Sequence, residues 1–162
     1  MNLPSMRAVF GLVFLASLGL MGFALYLQHR IGLDPCPLCI SQRIALIAVG
    51  ITALLACWHN PAATGQRLWA ALMGLFALIG AGLAARHLWI QHLPPEKVPA
   101  CGPGIEYMFD VFPWHEALAL LLQGDGNCAD VTWTWLGLSI PGWTLLAFLG
   151  MVIASLRACR LR

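Results

Sequence analysis

The chain has 162 residues, of which 60% are hydrophobic and 10% charged, and its formal net charge is +2. A soluble domain of this size carries about 25% charged residues, so this composition excludes a water-soluble globule and points to one integral membrane domain. The small charge and the lack of a basic cluster interleaved with aromatics give no support to a nucleic-acid partner.

Residues 8–27 are 20 uncharged positions. As a helix they cover about 30 Å, the thickness of the hydrocarbon core. A signal peptide is the weaker reading, because the apolar run is longer than the usual h-region and no small-x-small cleavage site follows it. A short loop over residues 28–39 leads to a second predicted span, 40–58, with Arg43 near its start. After a connection over 59–67, a third span covers 68–91, with Arg86 and His87 near its end. The long loop 92–140 contains a predicted helix. Pro113-Trp114-His115-Glu116 suits its N-terminus and Gly124 its stop. Its apolar content suits a position on the membrane surface or against the bundle. The last span, 141–156, starts at Pro141, which fits a first helical turn. The fold class expected is therefore an all-α membrane protein: a four-transmembrane-helix bundle forming a single domain over 1–162, with one short and one long loop on the same side.

Charge sets the orientation. Both termini and the 59–67 connection share one side, which holds Arg7, Arg67, Arg157, Arg160 and Arg162; the loops opposite hold Arg30 and Lys97. The positive-inside rule puts the arginine-rich side, with both termini, in the cytoplasm. All seven carboxylates fall on the other side. Trp89, Trp114, Trp133, Trp135 and Trp143 lie near that outward interface, where an aromatic belt belongs.

This topology sorts the six cysteines. Cys36, Cys39, Cys101 and Cys128 fall on the outward side, where disulfides persist, and Cys57 and Cys159 on the inward side, where thiols stay reduced and read as bystanders. Four cysteines allow three pairings. Spacing favours Cys36 with Cys39 in a C-x-x-C, leaving Cys101 with Cys128 across the long loop. A C-x-x-C at a helix start is a device for exchange, since orphan N–H groups and the dipole's positive end favour a thiolate. Cys101 sits among prolines and glycines, in an exposed stretch that a partner's thiolate can reach. Two inert structural bridges, or a four-cysteine zinc site, are the competing readings. Zinc is disfavoured because 26 residues separate Cys101 from Cys128.

Ionisable groups within the spans are candidates for function. Arg43 lies one turn after Cys39 on the same face. There it favours the Cys39 thiolate and can stabilise a reduced, anionic acceptor. Arg86 and His87 reach a comparable depth, and Gln91 shares the face of His87. An anchoring role at the headgroups is the alternative for these.

Together, these residues resemble the DsbB family of bacterial inner-membrane quinone-linked thiol oxidases along nearly the whole chain. The matching stretches are Cys36-Pro-Leu-Cys39-Ile-Ser-Gln-Arg43, Ala85-Arg86-His87-Leu-Trp-Ile-Gln91, Pro99-Ala-Cys101-Gly-Pro-Gly104, Gly124-Asp-Gly-Asn-Cys128-Ala and Trp135-Leu-Gly-Leu-Ser-Ile-Pro-Gly-Trp143. The resemblance implies that a periplasmic DsbA-type thioredoxin-fold oxidase attacks Cys101, whose disulfide partner is Cys128. It implies exchange onto the Cys36–Cys39 disulfide, with Cys39 as the donor to a membrane quinone. Arg43 would support quinone binding and reduction, and His87 would lie close to the quinone. Arg86 and Gln91 join these as expected quinone-site residues. Ubiquinone is the expected acceptor, with menaquinone the alternative, and no metal is expected.

Overall fold

The computed structural model describes residues 6–100, 102, 107 and 110–160. Helix α1 runs Met6–Tyr26 and continues as a π-helical turn over Leu27–Ile31. Gly32 ends it in a left-handed conformation (φ 77°) that returns its N–H to the Leu27 carbonyl. Helix α2 spans Pro37–His59, with Cys36 as its N-cap and Pro37 in its first turn, where the missing N–H would have no acceptor anyway. Left-handed Asn60 closes it, and Pro61 prevents its continuation. Helix α3 spans Ala63–Gln91, helix α4 Trp114–Gln123 and helix α5 Ile140–Arg160.

Four of these helices, α1 with its π turn, α2, α3 and α5, are long and apolar enough to cross a membrane. All four outrun the apolar stretches read from sequence, α1 with its π turn covering Met6–Ile31 and α2 Pro37–His59. α3 begins at Ala63 and α5 reaches Arg160, because backbone hydrogen bonding continues into the polar flanks.

The bundle is wound α1–α2–α3–α5, each helix packed along its neighbour, whereas α1 and α5 touch only sparsely. Small residues line the inner faces: Ala53, Ala56, Ala70, Ala77, Ala84, Gly74 and Gly80 are buried. They bring backbones close, the packing that drives helix association when no water is present to expel. Phe10, Val49, Met73 and Phe148 fill the remaining core. Buried hydroxyls stay satisfied within the backbone, as where Ser155 donates to the Ala70 carbonyl at 2.6 Å. The outward faces carry Leu12, Leu15, Ile44, Ile47, Leu75, Leu78, Leu146 and Ile153, all largely exposed. This inside-out apolarity suits lipid, so the chain is a multi-pass membrane protein.

α4 buries Ala117 and Leu121 against the bundle and leaves Trp114, Leu118 and Leu122 exposed. It therefore packs on the helices through one face and offers an apolar edge outward. A two-stranded hairpin not expected from the sequence precedes α5. β1 (Thr134–Trp135) pairs antiparallel with β2 (Leu138–Ser139), and the Leu136-Gly137 turn has positive φ at both residues. The Trp143 indole donates to the Trp135 carbonyl at 3.1 Å, and the two rings lie 5.1 Å apart. Strands of two residues are too short to show an alternating pattern.

A Cβ at Gly80 would run into the Phe148 ring, whereas one at Gly82 meets nothing within 4 Å. Gly80→Ala is therefore expected to cost about 2 kcal/mol by overpacking, and Gly82→Ala to be neutral or stabilising. Thermal unfolding in detergent separates the two. Equal stability of both variants would contradict this packing.

Candidate functional site

Cys36 caps α2 and Cys39 lies in its first turn, so both sulfurs sit beside N–H groups without helical acceptors and at the positive end of the dipole. The long loop brings a third cysteine to them. Gly124 ends α4 with φ 74° and packs so tightly that a Cβ would stand 2.7 Å from Leu38 Cδ1. Arg86 donates through Nε and Nη2 to the Gln123 carbonyl at 3.2 and 2.8 Å, satisfying an orphan acceptor at the end of α4.

The buried carboxylate of Asp125 then organises the 3₁₀ turn Gly126–Cys128. It accepts from the Asn127 N–H at 3.1 Å, the Asn127 amide at 3.0 Å, the Gly102 N–H at 3.3 Å and the Cys128 thiol at 3.6 Å. The Gly126 N–H donates to the Ala100 carbonyl at 3.3 Å. Ala100 and Gly102, the two neighbours of position 101, are thus both tied to the turn that carries Cys128. Cys101 itself lies outside the described residues.

Cys128 is 0% exposed, packed with Leu38 and Ile90. Cys36 Sγ, Cys128 Sγ and a ring nitrogen of His87 all lie within 4.8 Å of one another. His87 Nε2 stands 3.8 Å from Cys36 Sγ and 3.1 Å from the Cys128 carbonyl oxygen. The Gln42 amide nitrogen lies 3.1 Å from His87 Nδ1, and the Thr144 hydroxyl donates to Gln42 Oε1 at 2.8 Å. In this arrangement the Cys128 carbonyl calls for a proton on Nε2, so that nitrogen is a donor and not a free metal ligand. The spacing suits transfer from sulfur to sulfur. The Cys128 thiol is pushed far above the ordinary thiol range, first by its hydrogen bond to Cys36 and then by burial. The five described cysteines (Cys36, Cys39, Cys57, Cys128 and Cys159) are free thiols.

Beside this cluster opens a cavity of about 620 Å³. Leu20, Phe23, Ala24 and Leu27 of α1 and Trp143, Ala147 and Phe148 of α5 form apolar walls, so it occupies the sparsely packed α1–α5 seam. Cys36, Cys39, Gln42, Arg43, His87 and Gln91 line its polar side. Arg43 reaches across to α1, donating to Gln28 Oε1 at 2.5 Å and to the Ala24 carbonyl at 3.3 Å. Gln91 accepts from the Ser139 hydroxyl at 2.7 Å.

Of the residues singled out by sequence, Cys36, Cys39, Arg43, His87 and Gln91 share this cavity, and Cys128 adjoins it through Cys36 and His87. Arg86 is not among the lining residues, and its guanidinium fastens α4 instead. Sequence reading missed Gln42, Thr144 and Asp125. Gln42 left a signal, an amide in an apolar helix three residues after Cys39, while Thr144 left none. Cys159 lies elsewhere, its thiol 3.8 Å from the Arg67 carbonyl oxygen.

A family model described as "Disulfide bond formation protein DsbB" matches residues 6–158. Among curated relatives, "Disulfide bond formation protein B" of Saccharophagus degradans is 54% identical over 95% of this chain and 93% of its own. The protein of the same name from Hahella chejuensis is 56% identical over 89% and 87%. That of Methylococcus capsulatus is 52% identical over 96% and 95%.

The sulfur geometry can be tested without any partner. In a Cys39→Ser, Cys101→Ser variant, mild oxidation is expected to join Cys36 to Cys128 within one chain, as read by peptide mass mapping. Because the Cys128 thiol holds its proton above the ordinary range, the thiolate fraction and the linkage rate should keep rising as pH passes the usual thiol values. Asp125→Ala should slow linkage about tenfold by releasing the turn. Linkage between chains only, or an unchanged rate in Asp125→Ala, would contradict the geometry.

Proposed function

The chain belongs to the disulfide bond formation protein DsbB family, and on that premise we propose that it reoxidises a periplasmic DsbA-type dithiol protein and passes the electrons through two disulfides to a membrane quinone. Its general role, disulfide formation by a membrane-embedded oxidoreductase, follows from the family. The finer reading rests chiefly on one observation: the Cys36 and Cys128 sulfurs adjoin a lipid-side cavity that Cys39 and Arg43 line.

The exchange runs as follows. A partner thiolate attacks Cys101, opening the Cys101–Cys128 bond and freeing the Cys128 sulfur. Cys128 attacks Cys36, opening Cys36–Cys39 and freeing the Cys39 thiolate. The partner's second thiolate resolves the mixed disulfide and leaves the partner oxidised with Cys101 free. Cys101 then attacks Cys128, restoring its bond and releasing Cys36. Cys36 and Cys39 now carry the two electrons taken from the partner, and their bond re-forms when those electrons leave. Each exchange is a thiolate displacing a thiolate from a disulfide, so the sulfurs must come within reach in turn.

The cavity suits a quinone headgroup. Its apolar walls match an aromatic ring with an isoprenoid tail, and Arg43 and His87 are placed for ring oxygens. When bound, ubiquinone, or menaquinone in its place, supplies an acceptor for two electrons and two protons. Arg43 provides a fixed positive charge where negative charge develops, one helical turn from Cys39. The α1–α5 seam offers an entry from lipid without crossing water. Arg86 contributes indirectly, by fixing the end of α4 that leads into the Cys128 turn. In the bacterial inner membrane, loops 28–39 and 92–140 would face the periplasm, and both termini with loop 59–67 the cytoplasm.

Cys39→Ser is expected to abolish quinone reduction, while Cys57→Ser, far from the cavity, leaves it unchanged. Quinol formation with reduced partner as donor reads both, and an active Cys39→Ser protein would contradict the route. Arg43→Met is expected to raise the KM for quinone about tenfold, with the Cys36–Cys128 linkage rate unaltered. A wild-type KM would remove Arg43 from the site.

A further inference from the structure

Thr144 of α5, Gln42 of α2 and His87 of α3 form one hydrogen-bonded chain across three helices and end on the Cys128 carbonyl. Gln42 is 5% exposed and His87 2%, so these two depend on protein partners, while Thr144 is half-buried beside the cavity. Among the described residues no buried polar side-chain atom lacks a partner.

We propose that Gln42 and Thr144 are positioning residues that set whether Nδ1 of His87 is bare or protonated, and so whether Cys36 faces a neutral ring or an imidazolium. The inference rests on the proposed exchange route only in giving Cys36 a reactive role.

A histidine nitrogen either donates or accepts, and an amide has one side of each kind. Two self-consistent settings follow. In the first, the Thr144 hydroxyl donates to Gln42 Oε1, the Gln42 amide N–H donates to Nδ1, and the ring proton sits on Nε2. Nε2–H then points at the Cys128 carbonyl and lies 3.8 Å from Cys36 Sγ. The ring is neutral and Cys36 faces a donor. In the second, the amide is turned over. Thr144 has one proton and a second acceptor ready, the Pro141 carbonyl at 3.0 Å, so its oxygen is free to accept from the amide N–H. Gln42 Oε1 then accepts from Nδ1–H. With Nδ1 protonated, Nε2 keeps its proton toward the Cys128 carbonyl, because a lone pair there would oppose that oxygen at 3.1 Å, and the ring becomes an imidazolium.

The amide therefore acts as a two-position selector, and Thr144 tolerates both positions because it has two acceptors in reach. A mixed setting, with amide N–H facing Nδ1–H, places two donors together between two buried side chains and is disfavoured. The titratable groups near the ring are Cys36 and Cys39 on α2 and Cys128 on the turn, while Asp34, Arg43 and Asp130 line the same cavity. None of these substitutes for the amide at Nδ1.

The test is nitrogen NMR of the full-length reduced protein with labelled histidine, using His87→Asn to assign the ring. Wild type at neutral pH should show protonated Nε2 and bare Nδ1. Gln42→Leu and Thr144→Val should release Nδ1 to take up a proton, Thr144→Ser should restore the wild-type pattern, and Gln42→Glu, which only accepts when ionised, should give a doubly protonated ring. The Cys36–Cys128 linkage rate supplies a second readout: Thr144→Val should lower it about fivefold at neutral pH and alter its pH profile, with recovery in Thr144→Ser. An unchanged ring spectrum in both Gln42→Leu and Thr144→Val, or protonated Nδ1 in neutral wild-type protein, would overturn the assignment. The spectrum reads the ring whether or not a quinone is reduced. Loss of quinol production with the expected spectra would count against the proposed function and leave this inference standing.

Discussion

One polar chain, buried at Gln42 and His87, organises the end of this bundle that carries Cys36, Cys39 and Cys128. Thr144, Gln42, His87 and the Cys128 carbonyl are linked in series through an interior otherwise filled by alanine, glycine and large apolar side chains. Each member is costly to bury alone, and their mutual satisfaction couples three helices to the long loop. If the loop lifted away, His87 would lose its acceptor and Cys36 its neighbouring sulfur together. Placement of the third cysteine and satisfaction of the histidine are thus one structural condition.

On the proposed function, that condition would let a single small fold join two phases. Thiol exchange needs accessible sulfur and water-borne partners, whereas a quinone arrives through lipid. In the proposed route the chain would meet both demands through the start of α2, where Cys36 and Cys39 both line the cavity between α1 and α5 and Cys36 also meets the loop cysteine. Loose packing between those two helices would be the opening through which the proposed apolar acceptor approaches. Arg43, held by Gln28 and the Ala24 carbonyl, keeps a charge at the wall of that opening. The π-helical turn that carries Gln28 is the kind of local irregularity often found at functional sites.

Much of this was legible in the sequence, for physical reasons. Long uncharged runs announce spans because the hydrocarbon core tolerates little else, and the C-x-x-C before an apolar helix announces a helix-cap thiol pair. The α4 helix was readable from its proline, acid and glycine punctuation. Arg86 shows where adjacency misleads. It follows the same helix as His87, yet consecutive helical residues point about 100° apart. His87 therefore faces the sulfurs while Arg86 turns to the end of α4. The Gln42–Thr144 contact was invisible because it depends on how two helices 102 positions apart are rotated against each other, which only packing decides. The Asp125 turn escaped notice because its acceptors meet groups from two separate loop segments.

The most direct measurement of the central claim is an anaerobic titration of the purified protein with a reduced DsbA-type partner and excess ubiquinone, counting quinol optically and partner thiols by alkylation. The route through Cys128, Cys36 and Cys39 requires one quinol for every partner dithiol lost, with the protein itself returning to its starting oxidation state. Partner oxidation without matching quinol, or quinol formed while partner thiols persist, would contradict it.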